Sequence, residues 1–82
     1  MPRFYFDLHN DVDVLDAEGK ELSGLEEARK IALCEAREMI GASVEQGRVN
    51  LNHFIQVRDE SGAVVHRVRF GEAIEIVLEQ SA

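Results

Sequence analysis

The chain has one cysteine, one proline and no tryptophan in 82 residues. A single thiol, Cys34, excludes an internal disulfide framework and fits a reducing compartment. The one proline is Pro2, so no proline-rich linker divides the chain. No apolar run approaches the ~18 residues needed to span a bilayer. The N-terminus lacks the charged, apolar and small-residue order of a signal peptide. The expectation is therefore a cytoplasmic protein with no membrane partner. Positive charge is also scarce: nine Lys and Arg face 16 Asp and Glu, for a net charge of −7. That field repels a phosphate backbone and disfavours nucleic acid as a partner. A chain this short buries only about 63% of its unfolded surface. It can build one small core, so residues 1–82 read as a single domain, and a second copy would add to its stability.

Residues 3–9, RFYFDLH, alternate with a period of two: Phe4, Phe6 and Leu8 share one face, and Arg3, Tyr5, Asp7 and His9 the other. That pattern predicts an aromatic-rich strand, with Asp7 on the side away from the core. Val12, Val14 and Leu15 suggest a short second strand, followed by a turn at 17–20 in which Gly19 takes a positive φ. Ser23 to Glu26 fits a capping box, with the Ser23 hydroxyl and the Glu26 carboxylate each accepting from the other's amide. Leu25, Ala28, Ala32, Ala36, Met39 and Ile40 then recur at helical spacing. Gly47 is placed to end that helix in a left-handed conformation. Gly41, inside it, is expected to fray or bend the helix after Ile40.

Residues 53–59 and 64–70 read as a hairpin around Asp59 to Gly62. Two registers remain open. A type I turn with a bulge at Gly62 sets Val65 opposite Val57. A two-residue loop pairs Val57 with Val64 and turns His66, Val68 and Phe70 to the core. The tail at 71–78 has both helical spacing (Ile74, Val77, Leu78) and alternation (Ile74, Ile76, Leu78). A short helix is the expectation, because Gly71-Glu72-Ala73 starts one more easily than a strand.

The residues that carry chemistry form no recognised catalytic or ligand set. Asp11, Asp13, Asp16 and Glu18 fail the calcium-loop pattern, since its fifth position falls on Leu15 and its sixth on Asp16 instead of glycine. His9, His53 and His66 have no short metal-ligand spacing, and alternation separates His9 from the other two. Cys34 lies mid-helix beside Glu35 and Glu38, which oppose a thiolate. There is no phosphate loop, nucleophile elbow or zinc-protease motif. No metal or cofactor is expected, and no enzyme. The candidate interaction residues are Tyr5, Phe54 and Val65 on the uncovered sheet face, with Ile31 and Cys34 on the outer helix face. Arg58, Arg67 and Arg69 form a candidate basic strip.

The segments MPRFYFDL, DAEGKEL, LEEARKIAL, IQVRDESGAVV and VRFGEA, in that order, resemble a family of short uncharacterised bacterial proteins, a domain of unknown function whose members open on Met-Pro-Arg and an aromatic strand. The resemblance spans nearly the whole chain and implies no activity and no functional residues. At Asp7 to Asp11 the chain departs from the expected pattern of a histidine before the leucine and a glycine in the turn.

The architecture expected is a two-layer α+β domain of order ββαββ with a short terminal helix. Its sheet is mainly antiparallel, with one long helix on one face. The functional expectation is a non-enzymatic interaction or regulatory module, a homodimer with an unidentified protein partner. Alternatives are an antitoxin-like, nucleic-acid-associated regulator using the three arginines, or a small-ligand protein using Tyr5, Asp7 and His9 on the open face.

Overall fold

The computed structural model describes residues 1–79 and has seven elements. Strand β1 (Arg3–His9) pairs antiparallel with β2 (Asp13–Val14) and β3 (Lys20–Glu21) at its two ends, and with β4 (Phe54–Arg58). Strand β5 (Val64–Arg69) forms a hairpin with β4, so the sheet runs β2-β1-β4-β5, with β3 added beside β1. Helix α1 (Leu25–Glu45) crosses between the halves and packs against β4 and β5. A single turn, α2 (Phe70–Ala73), closes the chain against α1. This is the expected α+β class, with one strand, β3, beyond the four expected.

The helix approaches the sheet through Ala28, Ala32, Ala36 and Ile40, which recur every fourth residue and are all buried. Three alanines in that stripe remove side-chain bulk and leave room for Phe4, Phe6, Ile55, Val57, Val68 and Phe70 from below. Leu25, expected in the same stripe, instead stays exposed in the first turn of the helix. The helix continues through Gly41 to Glu45, contrary to the fraying expected there. It ends as expected at Gly47, whose amide donates to Val44 O at 2.9 Å while that of Arg48 donates to Ser43 O at 3.2 Å.

The helix start differs from expectation. Gly24, not Ser23, occupies the capping position, with no side-chain cap. Only the returning half of a box survives, one residue later: the Ser23 amide donates to the Glu27 carboxylate at 3.1 Å. The hairpin follows neither expected register throughout: Val57 pairs with His66, not with Val65 or Val64. Gly62, at φ 88°, accommodates the type I turn that sets Arg58 opposite Val64. An irregularity at Val65 then shifts the pairing, so Val57 faces His66 and Ile55 faces Val68. One extra residue reconciles the glycine with the apolar face, because each single-residue slip exchanges the two faces of a strand. The terminal helix is shorter than expected, with Ile74 already extended at φ −135° and ψ 157°.

Phe6→Ala is expected to cost about 3–5 kcal/mol in urea unfolding, because it empties the centre of this core. Ser23→Ala is expected to stay within about 0.5 kcal/mol of the wild type, since its hydroxyl caps nothing. A costly Ser23→Ala or a tolerated Phe6→Ala would contradict this packing.

Candidate functional site

The sheet face turned away from α1 carries the residues of odd register on β1: Tyr5, Asp7 and His9. Cross-strand pairing sets them opposite Arg58, Gln56 and Phe54, and sets Gln56 opposite Arg67 and Phe54 opposite Arg69. No helix covers this face among the described residues.

Asp7 is the exception to the expected exposure. Its side chain is 0% exposed, although the alternation turns it away from the core. Four donors account for this. Arg58 Nε donates to Oδ2 at 2.6 Å and Nη2 to Oδ1 at 3.0 Å, a two-pronged contact from the diagonal position on β4. The Asp16 amide donates to Oδ1 at 2.9 Å, and Gln56 Nε2 reaches Oδ2 at 3.5 Å. Burial alone pushes the carboxyl up; the Arg58 hydrogen bonds, the Asp16 amide and the Gln56 amide outweigh it and hold Asp7 below its ordinary value.

Asp16 explains why the acidic loop folds without a metal. Its Oδ2 accepts the Phe6 amide at 3.1 Å, filling the gap between β2 and β3 on the edge of β1. Its Oδ1 accepts the amides of Glu18 and Gly19, both at 3.1 Å. Burial raises this carboxyl, and the Gly19, Phe6 and Glu18 amides more than offset it, so it too lies below its ordinary value. Gly19 is required here: at φ 69°, a Cβ would lie 2.8 Å from Phe4 O. Among the described residues, no three His, Cys, Asp or Glu side chains come together to hold a metal ion.

Beside this pair lies a three-layer stack. The His9 imidazole lies 4.6 Å from the Phe54 ring at an interplanar angle of 14°, and the Arg67 guanidinium lies 4.6 Å from the Phe54 centroid. Asp13 Oδ1 meets His9 Nδ1 at 3.1 Å. Arg58 also lies 5.1 Å from the Tyr5 ring. The face is thus a continuous surface of Tyr5, Arg58, Gln56, Phe54 and Arg67 held flat by contacts within itself.

The five candidate interaction residues do not converge. Tyr5 and Phe54 share the open face. Val65 leaves it at the irregularity and packs, half-buried, against the core. Ile31 also packs against the core instead of standing free, and Cys34 beside it is exposed in a depression of about 370 Å³ on the helix side. The basic strip is reduced as well. Arg58, Arg67 and Arg69 share one face, but the Arg58 charge is matched by buried Asp7. A polar cleft of about 380 Å³ lies at the C-terminal end of α1, where Asp11 Oδ1 approaches His53 Nε2 at 3.4 Å.

A family model described as a domain of unknown function (DUF6894) matches residues 3–71. The chain belongs to the DUF6894 family. No curated protein and no solved structure shows significant similarity to it. The DUF6894 match takes in Asp7, Asp16, Phe54, Arg58 and Arg67, and ends at residue 71. No helix among the described residues is long and apolar enough to cross a membrane. Sequence reasoning missed Asp7 and Asp16 as structural groups. The signal available for Asp7 was an acid amid aromatics with an arginine on the same face of a pairing strand.

The pH dependence of stability follows from these groups. Asp7 and Asp16 lie below 3.8 in the folded state, so the stability they contribute is present above about pH 4 and lost as pH falls further. His66 is pushed below 6.5 by burial and by Arg29, so protonation in the unfolded chain adds a loss that begins as pH falls through about 6.5. The melting temperature should hold near neutrality, decline as pH falls below about 6.5 and decline again below about pH 4. Asp7→Asn should flatten the second step; an unchanged acid slope in that variant would contradict the assignment.

Proposed function

We propose that this protein is a non-enzymatic interaction module of the bacterial cytoplasm, a homodimer that offers the open face of its sheet to another protein. The observation that carries this reading is the uncovered face with its His9–Phe54–Arg67 stack and the Tyr5–Arg58 pair. Aromatic and arginine side chains are the types enriched where protein interfaces hold their binding energy. Their mutual contacts fix them in place, so less conformational freedom is lost on binding. The single thiol supports the cytoplasmic placement.

Two alternatives have less behind them. An enzyme or small-ligand site on this face would call on Asp7 as its acid–base group, and both Asp7 oxygens are already committed to Arg58, Gln56 and the Asp16 amide. A nucleic-acid surface would call on Arg58, whose charge is matched internally, leaving two arginines on a protein of net charge −7.

The test uses the immobilised full chain alongside Tyr5→Ser and Phe54→Ser variants, each checked for melting. Proteins retained from a lysate by the wild type and lost with both folded variants are the expected result. The same set retained by all three, or none retained by any, would overturn the reading.

A further inference from the structure

The outer edge of β5 has no pairing strand among the described residues. Its surroundings differ from the rest of the molecule. Four of the nine basic residues gather there, Arg29 and Lys30 on the helix side and Arg67 and Arg69 on the open face. Lys30, Arg67 and Arg69 have no carboxylate partner within ion-pair distance among the described residues. On the helix side the edge borders a notch of about 230 Å³ lined by Arg29, Lys30, Leu33, His66 and Val68. Burial and the neighbouring Arg29 favour the neutral His66 imidazole, which keeps the floor of that notch apolar. A strand added here would need apolar side chains towards the notch and acidic ones towards Arg67 and Arg69.

The chain contains such a segment. After Ala73, whose carbonyl accepts from Arg37 Nε at 2.8 Å, Ile74 is extended at φ −135° and ψ 157°, and the sequence reads IEIVLE over 74–79. In a strand, Ile74, Ile76 and Leu78 share one side, and Glu75, Val77 and Glu79 the other. Ile74 packs against its own core, but Ile76, Val77 and Leu78 are 54%, 65% and 89% exposed. The surface of 5813 Å² compares with about 4,900 Å² for a compact monomer of this mass. The radius of gyration of 14.3 Å compares with about 12 Å. Both excesses fit a tail that stands off the domain.

We propose that the tail at 75–79 of one copy adds as a strand to the β5 edge of a second copy, reciprocally. Ile76 and Leu78 fill the notch against Leu33, His66 and Val68, and Glu75 and Glu79 meet Arg67 and Arg69. Main-chain hydrogen bonds supply the pairing, and the charges select the partner segment. The irregularity at Val65 confines the new pairing to His66–Arg69. A two-fold exchange satisfies both edges with one kind of contact, and leaves Tyr5, Arg58 and Phe54 of the open face uncovered. This inference rests on the homodimer part of the proposed function and not on its open-face part.

Sedimentation velocity of the full chain over about a hundredfold concentration range tests it. The wild type should sediment as a dimer. A first variant, Arg67→Glu with Arg69→Glu, and a second, Glu75→Lys with Glu79→Lys, should each weaken self-association at least about tenfold by placing like charges together. Mixing the two variants should restore a dimer, because both junctions of the mixed pair then carry opposite charges. A wild type that stays monomeric throughout overturns both this inference and the homodimer. A wild-type dimer that neither variant weakens overturns the tail exchange alone, as does a mixture that stays monomeric.

Discussion

The buried Asp7 carboxylate is the constraint on which the uncovered half of this fold depends. A charge removed from water must be compensated or it destabilises the protein by several kcal/mol. Asp7 is compensated by three residues from two parts of the chain: Arg58 and Gln56 on β4, and the backbone of Asp16 in the loop after β2. Arg58 in turn donates to Asp16 O at 3.1 Å. The charge therefore couples the central strand pair to the loop at 10–19, whose apolar side chains Val12, Val14 and Leu15 stay exposed and do not anchor it. Asp16 extends the same linkage by taking the Phe6 amide on one oxygen and ordering the turn at Gly19 with the other. One acid buried within the sheet and one at its edge thus do what a longer strand would otherwise do.

The consequences reach the functional surface. With Arg58 fixed by Asp7, Tyr5 lies against its guanidinium, and the adjoining His9, Phe54 and Arg67 stack in turn. The result is a rigid face whose cationic groups are largely held in place, set on an acidic protein. The uncompensated cations are displaced to the β5 edge, next to an apolar notch. Face and edge thus differ in chemistry, with Arg67 common to both.

Much of the fold was legible in the sequence because it follows from side-chain period. Phe4, Phe6 and Leu8 alternate, Ala28, Ala32 and Ala36 recur every fourth residue, and Gly47 supplies the helix stop. What was not legible involved residues whose role is decided by distant partners. Alternation placed Asp7 on the solvent side, and it could not show that Arg58 and the Asp16 backbone would cover it. Ser23 matched a local cap pattern, but the chain enters the helix one residue later. The hairpin register could not be settled because Gly62 and the set His66, Val68 and Phe70 required opposite parities, and only an extra residue at Val65 satisfies both. The tail carried helical and alternating patterns together, and the helical one stops at Ala73, with Ile74 extended. Within the candidate site, Tyr5 and Phe54 were visible from period alone, whereas the departure of Val65 and Ile31 into the core depended on the irregularity and on the way α1 lies across β4 and β5.

The most direct test of the central role of Asp7 is a double-mutant cycle in urea unfolding with Arg58→Met, Asp7→Asn and the two combined. If the pair acts as described, Arg58→Met is the more damaging single change, because it leaves a buried carboxylate without its cation. Adding Asp7→Asn to it should then recover stability, so that the double variant unfolds at higher urea than Arg58→Met alone. Strictly additive losses, with the double variant the least stable of the three, would contradict the account.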